Sequence, residues 1–317
     1  MLLDLDRLKI RFGAFSPVDE VSLKVDRGEI LGIVGESGSG KSLTATAIMG
    51  LLPRIGGQVA AGTIRFDGTE LVGLPERQLR RLRGGRIALI TQNPMTSLDA
   101  LMRIGPQIDQ AARLHLGLDR SAARTRSLEL MADLRIPDPA SVYELFPHQL
   151  SGGMKQRIVI AMALAGDPEL LIADEPTTAL DVTVQAQIVQ ILVDLVRQRG
   201  LGLILITHDM GVVAQACDRV AVMYCGRVVE LSEVDALFEH PRHPYTQALI
   251  RCIPRRDMAP GTMNAIPGFV PTAMTQPPGC RFNPRCAHAM DRCRVQAPEL
   301  QVASSGNGVA CHLAEAA

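Results

Sequence analysis

Ile30-Leu31-Gly32-Ile33-Val34-Gly35-Glu36-Ser37-Gly38-Ser39-Gly40-Lys41-Ser42-Leu43 leads an apolar run straight into a glycine-rich loop and a helical pattern. The run from Glu29 to Val34 reads as a strand buried on both faces. After Ser42, the residues Leu43, Ala47, Ile48 and Leu51 recur at helical spacing, and Pro53 with Gly56 and Gly57 ends the helix. Gly35 to Ser42 satisfies the P-loop pattern in its required context of strand, loop and helix. At ordinary residue abundances the pattern arises by chance in roughly one chain of this length in a hundred. Its glycines let successive backbone N–H groups converge on phosphate oxygens, and the helix N-terminus adds the positive end of its dipole. Lys41 suits the β and γ oxygens of a nucleotide and Ser42 suits Mg²⁺. A dinucleotide fingerprint fits worse, because Leu43 stands where its third glycine belongs.

Around this loop lie 317 residues, enough for about two domains. The 33 basic residues cancel the 33 acidic ones, and only 3% of residues are aromatic, none of them Trp. A polybasic nucleic-acid binder, a disordered acidic chain and a base-stacking platform are thereby disfavoured. No apolar stretch reaches the length of a membrane span, and Asp4, Asp6, Arg7 and Lys9 interrupt the start of the chain, so the expectation is a cytoplasmic protein. Seven Cys is an odd number, and four of them crowd the C-terminal end, which suggests a local metal site over a disulfide framework.

Arg7 to Phe12 and Ser22 to Val25 alternate like sheet, Gly62 to Phe66 enters a tight turn at Asp67-Gly68, and Ile87 to Ile90 is a short buried strand. From there to about Ala165 no strand pattern occurs, and Ala, Leu and Arg broken by Pro106, Pro137, Pro139 and Pro147 predict a helical insertion over about 93–165. Leu170 to Ala173, Leu203 to Ile206 and Val220 to Tyr224 then read as strands. Between the first two, Ile188, Ile191, Leu192 and Leu195 form a helical face ending at Gly200. Such alternation predicts a parallel sheet. Beyond about Asp235 the composition shifts to Pro, His, Arg and Cys, which divides the chain into 1–235 and an appended 236–317.

The strand Leu170 to Ala173 delivers Asp174 and Glu175 to its carboxyl end, where ligands sit in open α/β sheets. Two adjacent carboxylates repel each other unless a cation and a water to be activated occupy them, with Asp174 on Mg²⁺ and Glu175 on the water. His208 likewise stands just past a strand end, in reach of a γ-phosphate.

Leu150-Ser151-Gly152-Gly153-Met154-Lys155-Gln156-Arg157 matches the ABC signature, and with it the chain resembles the ATP-binding subunits of ABC transporters. The P-loop, a Q-loop at Gln92, the signature, the strand ending in Asp174-Glu175, a D-loop Ala179-Leu180-Asp181 and an H-loop His208 fall in the family's order. The resemblance implies an α/β P-loop NTPase of ABC type with an antiparallel β subdomain, a helical insertion and a Cys-rich C-terminal extension. It implies ATP held by Gly35, Glu36, Ser37, Gly38, Ser39, Gly40, Lys41, Ser42 and Leu43, with Phe12 in the place of the adenine-stacking aromatic. Mg²⁺ would meet Ser42, Gln92 and Asp174; Glu175, His208 and Gln92 would be catalytic. Ser151 can cap a helix whose free N–H groups form a second anion site. In the family Ser151, Gly152 and Gly153, with Asp181 nearby, would close on ATP held by another subunit.

Tyr143 to Arg157, Ala173 to Gln187, Thr207 to Ala214, Asp218 to Tyr224 and the tail His240-Pro241-Arg242-His243-Pro244-Tyr245-Thr246 resemble more closely the D-type ATPase of oligopeptide and dipeptide importers. This implies hydrolysis that powers peptide import, with nickel or another small solute as the alternative cargo. Its partners would be a second, homologous but different ATP-binding subunit, two transmembrane permeases and, indirectly, an extracytoplasmic peptide-binding protein, with no nucleic acid. The subunit would sit peripherally on the cytoplasmic face of the bacterial cell membrane. A soluble non-transport ABC ATPase is the rival reading, but such proteins carry coiled coils, basic arms or two ATPase modules, and this chain has one P-loop and no net charge. Two departures stand out: Ser97-Leu98-Asp99-Ala100 lacks Asn-Pro after Leu, and Glu230-Leu231-Ser232 lacks a customary Gly.

Cys280, Cys286, Cys293 and Cys311 lie in a Pro-rich stretch too poor in apolar residues to form a core, and a metal could supply the cohesion. The spacing lacks the paired knuckles of zinc ribbons, and the importer resemblance implies a [4Fe–4S] cluster on the four thiolates; a zinc site, mixed if His288 and His312 take part, and four reduced cysteines without metal are the alternatives. Cys217, Cys225 and Cys252 read as ordinary thiols.

Overall fold

The structure is a computed structural model and describes residues 1–178, 180–253, 265–303 and 306–314; Ala179 of the expected D-loop lies outside the described residues. The chain forms two compact units, one from Met1–Leu2, Val25–Ile30 and Gly73–Ile206, the other from Leu3–Lys24, Leu31–Val72 and Thr207–Ala317.

In the first unit the strands Ile87–Ile90, Leu170–Asp174 and Gly202–Thr207 run parallel, with Ile90 opposite Ala173 and Asp174 opposite Ile206. Leu170 to Ala173 are fully buried, as a strand covered on both faces requires, and the first polar residues appear where it ends. The insertion is helical throughout its regular elements, chiefly Ile104–Leu116, Arg120–Asp133 and Gly152–Leu164. One buried polar knot joins the first two of these to the short helix Pro139–Tyr143: the Asp109 carboxylate accepts hydrogen bonds from Ser127 Oγ and from the Tyr143 hydroxyl. Burial, reinforced by Asp109, pushes the Tyr143 hydroxyl up to about 12, so it stays a donor. Arg124 lies over the same ring at 4.3 Å from its centroid. Gly105 is required beneath it, since a Cβ there would stand 2.2 Å from the Tyr143 ring.

In the second unit a four-stranded sheet orders Phe15–Val25, Leu3–Phe12, Gln58–Phe66 and Thr69–Glu70. Leu3–Phe12 and Gln58–Phe66 are antiparallel, with a register break after Asp6 where Gly62 passes the Arg7 carbonyl so closely that a Cβ would lie 2.4 Å from it. Separately, Ile30–Val34 runs parallel to Arg219–Tyr224. The latter folds back antiparallel onto Arg227–Glu233 through Cys225 and Gly226, both at positive φ, 45° and 83°. The parallel pairing with Ile30–Val34 agrees with the parallel sheet read from the sequence, and the hairpin adds an antiparallel strand that was not expected. The segment after 235 also carries more regular structure than its composition suggests: helices Val234–Glu239 and Pro244–Arg251, a 3₁₀ turn Asn283–Arg285, and a short strand Gly308–Val309 paired with Arg227–Glu233.

Asp19 ties the tail to this unit. Its side chain is 8% exposed and bridges Lys9 (2.8 Å), Arg227 (2.8 Å) and Arg281 (2.5 Å). Burial alone would raise its pKa, but hydrogen bonds from Lys9 and Arg227 and the surrounding cations hold it at about 2, below the usual 3.8. Losing the carboxylate would strand three cations, so Asp19→Asn is expected to cost about 2–3 kcal/mol of stability at neutral pH. Because the folded carboxyl is the stronger acid, the contribution is complete above about pH 4 and fades as pH falls toward 2. Urea unfolding of parent and variant across that range checks the sign; a difference that grows on acidification contradicts it.

Candidate functional site

The P-loop lies in the second unit, and its shape follows from its glycines. Gly35, Gly38 and Gly40 hold φ of 154°, 80° and 100°. A Cβ on Gly35 would meet the Met223 carbonyl at 2.1 Å and one on Gly40 would meet Val18 at 2.9 Å, whereas one on Gly38 would meet nothing. Two glycines therefore answer to packing as well as to backbone conformation, and the third to conformation alone. The following helix, Lys41–Ile48, has at its N-cap Gly40, in a left-handed conformation and with no side-chain cap hydrogen bond. Lys41 is 5% exposed, and its Nζ donates to the carbonyls of Gly35 (2.8 Å) and Glu36 (3.1 Å). Ser39 Oγ is buried without a hydrogen-bond partner, a polar atom that a bound triphosphate or its cation would satisfy. Ser37 and Ser42 are exposed and Leu43 is half-buried.

Glu36 is held on two sides. Its backbone N–H donates to the Tyr245 hydroxyl at 2.9 Å, and its carboxylate accepts both terminal nitrogens of Arg285 at 2.7 and 3.0 Å. Sequence reasoning missed both partners. Tyr245 belongs to the tail motif noted above, but nothing in its local pattern points to a phosphate loop. The motif itself builds the tyrosine's seat: the buried Glu230 carboxylate accepts the N–H groups of Arg242 and His243, and His243 Nδ1 accepts the N–H of Tyr245. Burial pushes His243 down to about 3, so it remains a neutral acceptor.

Phe12 ends its strand half-buried with its ring over Gly57, where a Cβ would lie 2.5 Å from it. His208 is exposed just past Gly202–Thr207. The next residue, Asp209, caps the helix Met210–Ala216 by accepting the N–H of Gly211 at 2.8 Å.

The first unit gathers the other expected residues. Asp174 closes its strand, and Glu175 follows at φ 48°, a left-handed conformation uncommon for a non-glycine residue and frequent at reacting centres. One Glu175 oxygen accepts Gln92 Nε2 at 3.0 Å and Thr178 Oγ1 at 2.9 Å, so the carboxylate is held in one orientation. Thr178 is a third residue that sequence reasoning missed. Ser151 caps Gly152–Leu164, accepting the Met154 N–H at 3.3 Å, and Ser151 and Gly152 are exposed. Gly153 permits close helix packing, because a Cβ would stand 2.7 Å from Val184 in the helix Val182–Arg199, which Asp181 caps.

Cys280, Cys286, Cys293 and Cys311 line one small cavity with His288 and His312. Burial pushes the Cys280 thiol up to about 11, and the other three cysteines add to the effect. Among the described residues no group of three or more His, Cys, Asp or Glu side chains is drawn together as a metal ion requires. Among the described residues these side-chain positions thus form no single-ion site of the kind zinc requires.

Residues 18–178 match the ABC transporter family model, and 229–293 match the model of the oligopeptide/dipeptide transporter C-terminal region. The chain is 47% identical to the dipeptide transport ATP-binding protein DppD of Escherichia coli, over 98% of this chain and 96% of that protein. It is 46% identical to the oligopeptide transport ATP-binding protein OppD of Salmonella typhimurium, over 98% of this chain and 93% of that protein. Among solved structures, the post-hydrolysis dimer of the ATP-binding cassette MJ0796 with ADP and Pi aligns at a TM-score of 0.65 and 26% identity, over 74% of this chain and 99% of that one. A glycine-capped phosphate-loop helix, a doubly hydrogen-bonded carboxylate after a buried strand and an exposed signature helix are thus found on a chain whose relatives are transport ATP-binding proteins: it belongs to the ATP-binding subunits of ABC transporters.

Proposed function

We propose that this ATPase powers import of dipeptides or oligopeptides through a membrane ABC transporter, the cargo class named for the relatives above. The observation that carries the reading is the pairing on one chain of a P-loop with an exposed Ser151-capped helix start, two anion-binding elements of which one subunit's nucleotide needs only the first. The second is accounted for by ATP on a neighbouring ATP-binding subunit, homologous but different. Among the described residues no helix is long and apolar enough to cross a membrane, which suits a peripheral subunit recruited by two permeases at the cytoplasmic face. Residues 1–235 form the ATP-binding domain in this reading, with 93–165 as its helical subdomain, and 236–317 form the extension.

Roles follow residue by residue. Lys41 and the loop from Gly35 to Leu43 bind the β- and γ-phosphates, Ser42, Asp174 and Gln92 would hold Mg²⁺, and Phe12 stacks on adenine. Glu175 accepts a proton from the attacking water, held in aim by Gln92 and Thr178. His208 donates to the γ-phosphate, and Ser151, Gly152, Gly153 and Asp181 serve the facing subunit's nucleotide. When bound, Mg²⁺ would neutralise charge on the phosphate oxygens.

We further assign Cys280, Cys286, Cys293 and Cys311 as ligands of a [4Fe–4S] cluster. A cube of four irons takes one thiolate on each iron, so its ligands need not converge on a point as those of a single ion must, and four thiols on one cavity wall suit it better than zinc. When bound it would cross-link a segment with little apolar core.

Lys41→Ala is expected to abolish ATP binding, measured by equilibrium titration. Glu175→Gln should retain binding and lose at least about a hundredfold in turnover; parental hydrolysis by that variant would overturn the base assignment. Anaerobically purified chain should contain iron and acid-labile sulfide that Cys286→Ser loses, whereas an iron-free chain with unchanged stability would refute the cluster.

A further inference from the structure

We propose that Arg285 of the cysteine-rich tail is a positioning residue for ATP, holding the P-loop at Glu36 and thereby setting nucleotide affinity. The inference rests on the ATPase reading above and concerns a residue far outside the P-loop in sequence. The Arg285 side chain is only 3% exposed. Its two terminal nitrogens grip both Glu36 oxygens, and the rest of its donors are spent on fixing its own position: Nε on the Pro267 carbonyl (2.9 Å), Nη2 on the Ile266 carbonyl (3.2 Å), and Nη1 on the Tyr224 hydroxyl (3.3 Å). A guanidinium so surrounded has one orientation, and it transmits that orientation to the carboxylate through a planar fork.

Glu36 is an informative place to apply the grip. Its N–H is already taken by Tyr245, and its carbonyl receives Lys41 Nζ and the Ser39 N–H (3.2 Å). The side chain held by Arg285 thus belongs to the residue whose carbonyl parks Lys41 and shapes the loop up to Ser39. Behind it, Tyr224, Tyr245 and Phe282 pack ring on ring, with centroids 4.6 to 5.3 Å apart, as a rigid backing. A loop with glycines at 35, 38 and 40 is intrinsically loose, and ordering it on binding would cost affinity. The Arg285 brace orders it at the folding stage, so ATP meets a preformed cradle. Glu175 and its partners lie in the other unit and take no part in the brace, so the effect should fall on binding and spare the chemical step.

The test uses the full chain purified with its partner subunits and measures Kd for MgATP alongside KM and kcat. Arg285→Met should raise Kd and KM about tenfold while kcat stays within about twofold, and Glu36→Gln should raise Kd and KM to a similar extent. The double variant should be no worse than either single one, and Arg285→Lys should fall between. Parental Kd in the singles, additive losses in the double, or a fall in kcat at unchanged Kd would each overturn the proposal. If Arg285→Met fails to fold, Glu36→Gln, a single-atom change on the loop side, decides alone. Lys41→Ala separates the two claims: if it abolishes ATP binding while Glu36→Gln binds as the parent does, the positioning role fails and the ATPase reading stands.

Discussion

The close approach of the P-loop backbone to the strand Arg219–Tyr224 is the constraint on which the second unit turns. At Gly35 no atom beyond hydrogen fits between the loop and the Met223 carbonyl, and the Gly226 N–H donates to the Ser39 carbonyl at 2.9 Å. The loop is thus laid against a hairpin, and whatever stiffens the hairpin stiffens the loop. Asp19 does so through Arg227 and Arg281, and Tyr224 does so by joining the aromatic backing. Strand burial, hairpin turn and tail are links in one chain of causes that ends at a phosphate cradle.

Local chemistry was legible in the amino-acid order. The glycine loop, the buried strand ending in two carboxylates and the Ser151 cap each declare themselves within a few residues, because the physics that demands them is local: positive φ, a dipole end, an exposed strand terminus. The strand Arg227–Glu233 was not read, since Cys225-Gly226 is not an obvious hairpin pair and Cys225 adopts φ 45° only because the surrounding sheet imposes it. Nor could the grip of Arg285 on Glu36 be foreseen, as the partners stand 249 residues apart and neither belongs to a periodic pattern. Within Glu230-Leu231-Ser232, the Glu230 carboxylate organises the turn that presents Tyr245, a role its local sequence did not disclose.

The tail is more than an appendage in this account. Its strand pairing, its salt bridges to Asp19 and its hold on Glu36 all converge on the ATP-binding loop, while its four thiols share a cavity whose wall includes Phe282 of the same aromatic backing. Cohesion in the cysteine region and order in the P-loop are therefore connected by packed rings and one guanidinium, within a single unit.

The central claim is that nucleotide on one subunit is completed by the Ser151 helix end of another. The most direct measurement places a cysteine at Ser151 in the assembled complex and asks whether it cross-links, with MgATP and not without it, to a cysteine placed in the phosphate loop of the neighbouring ATP-binding subunit. The account predicts a nucleotide-dependent bond between subunits. A Ser151 position that remains unreactive toward the neighbour under saturating ATP would contradict it.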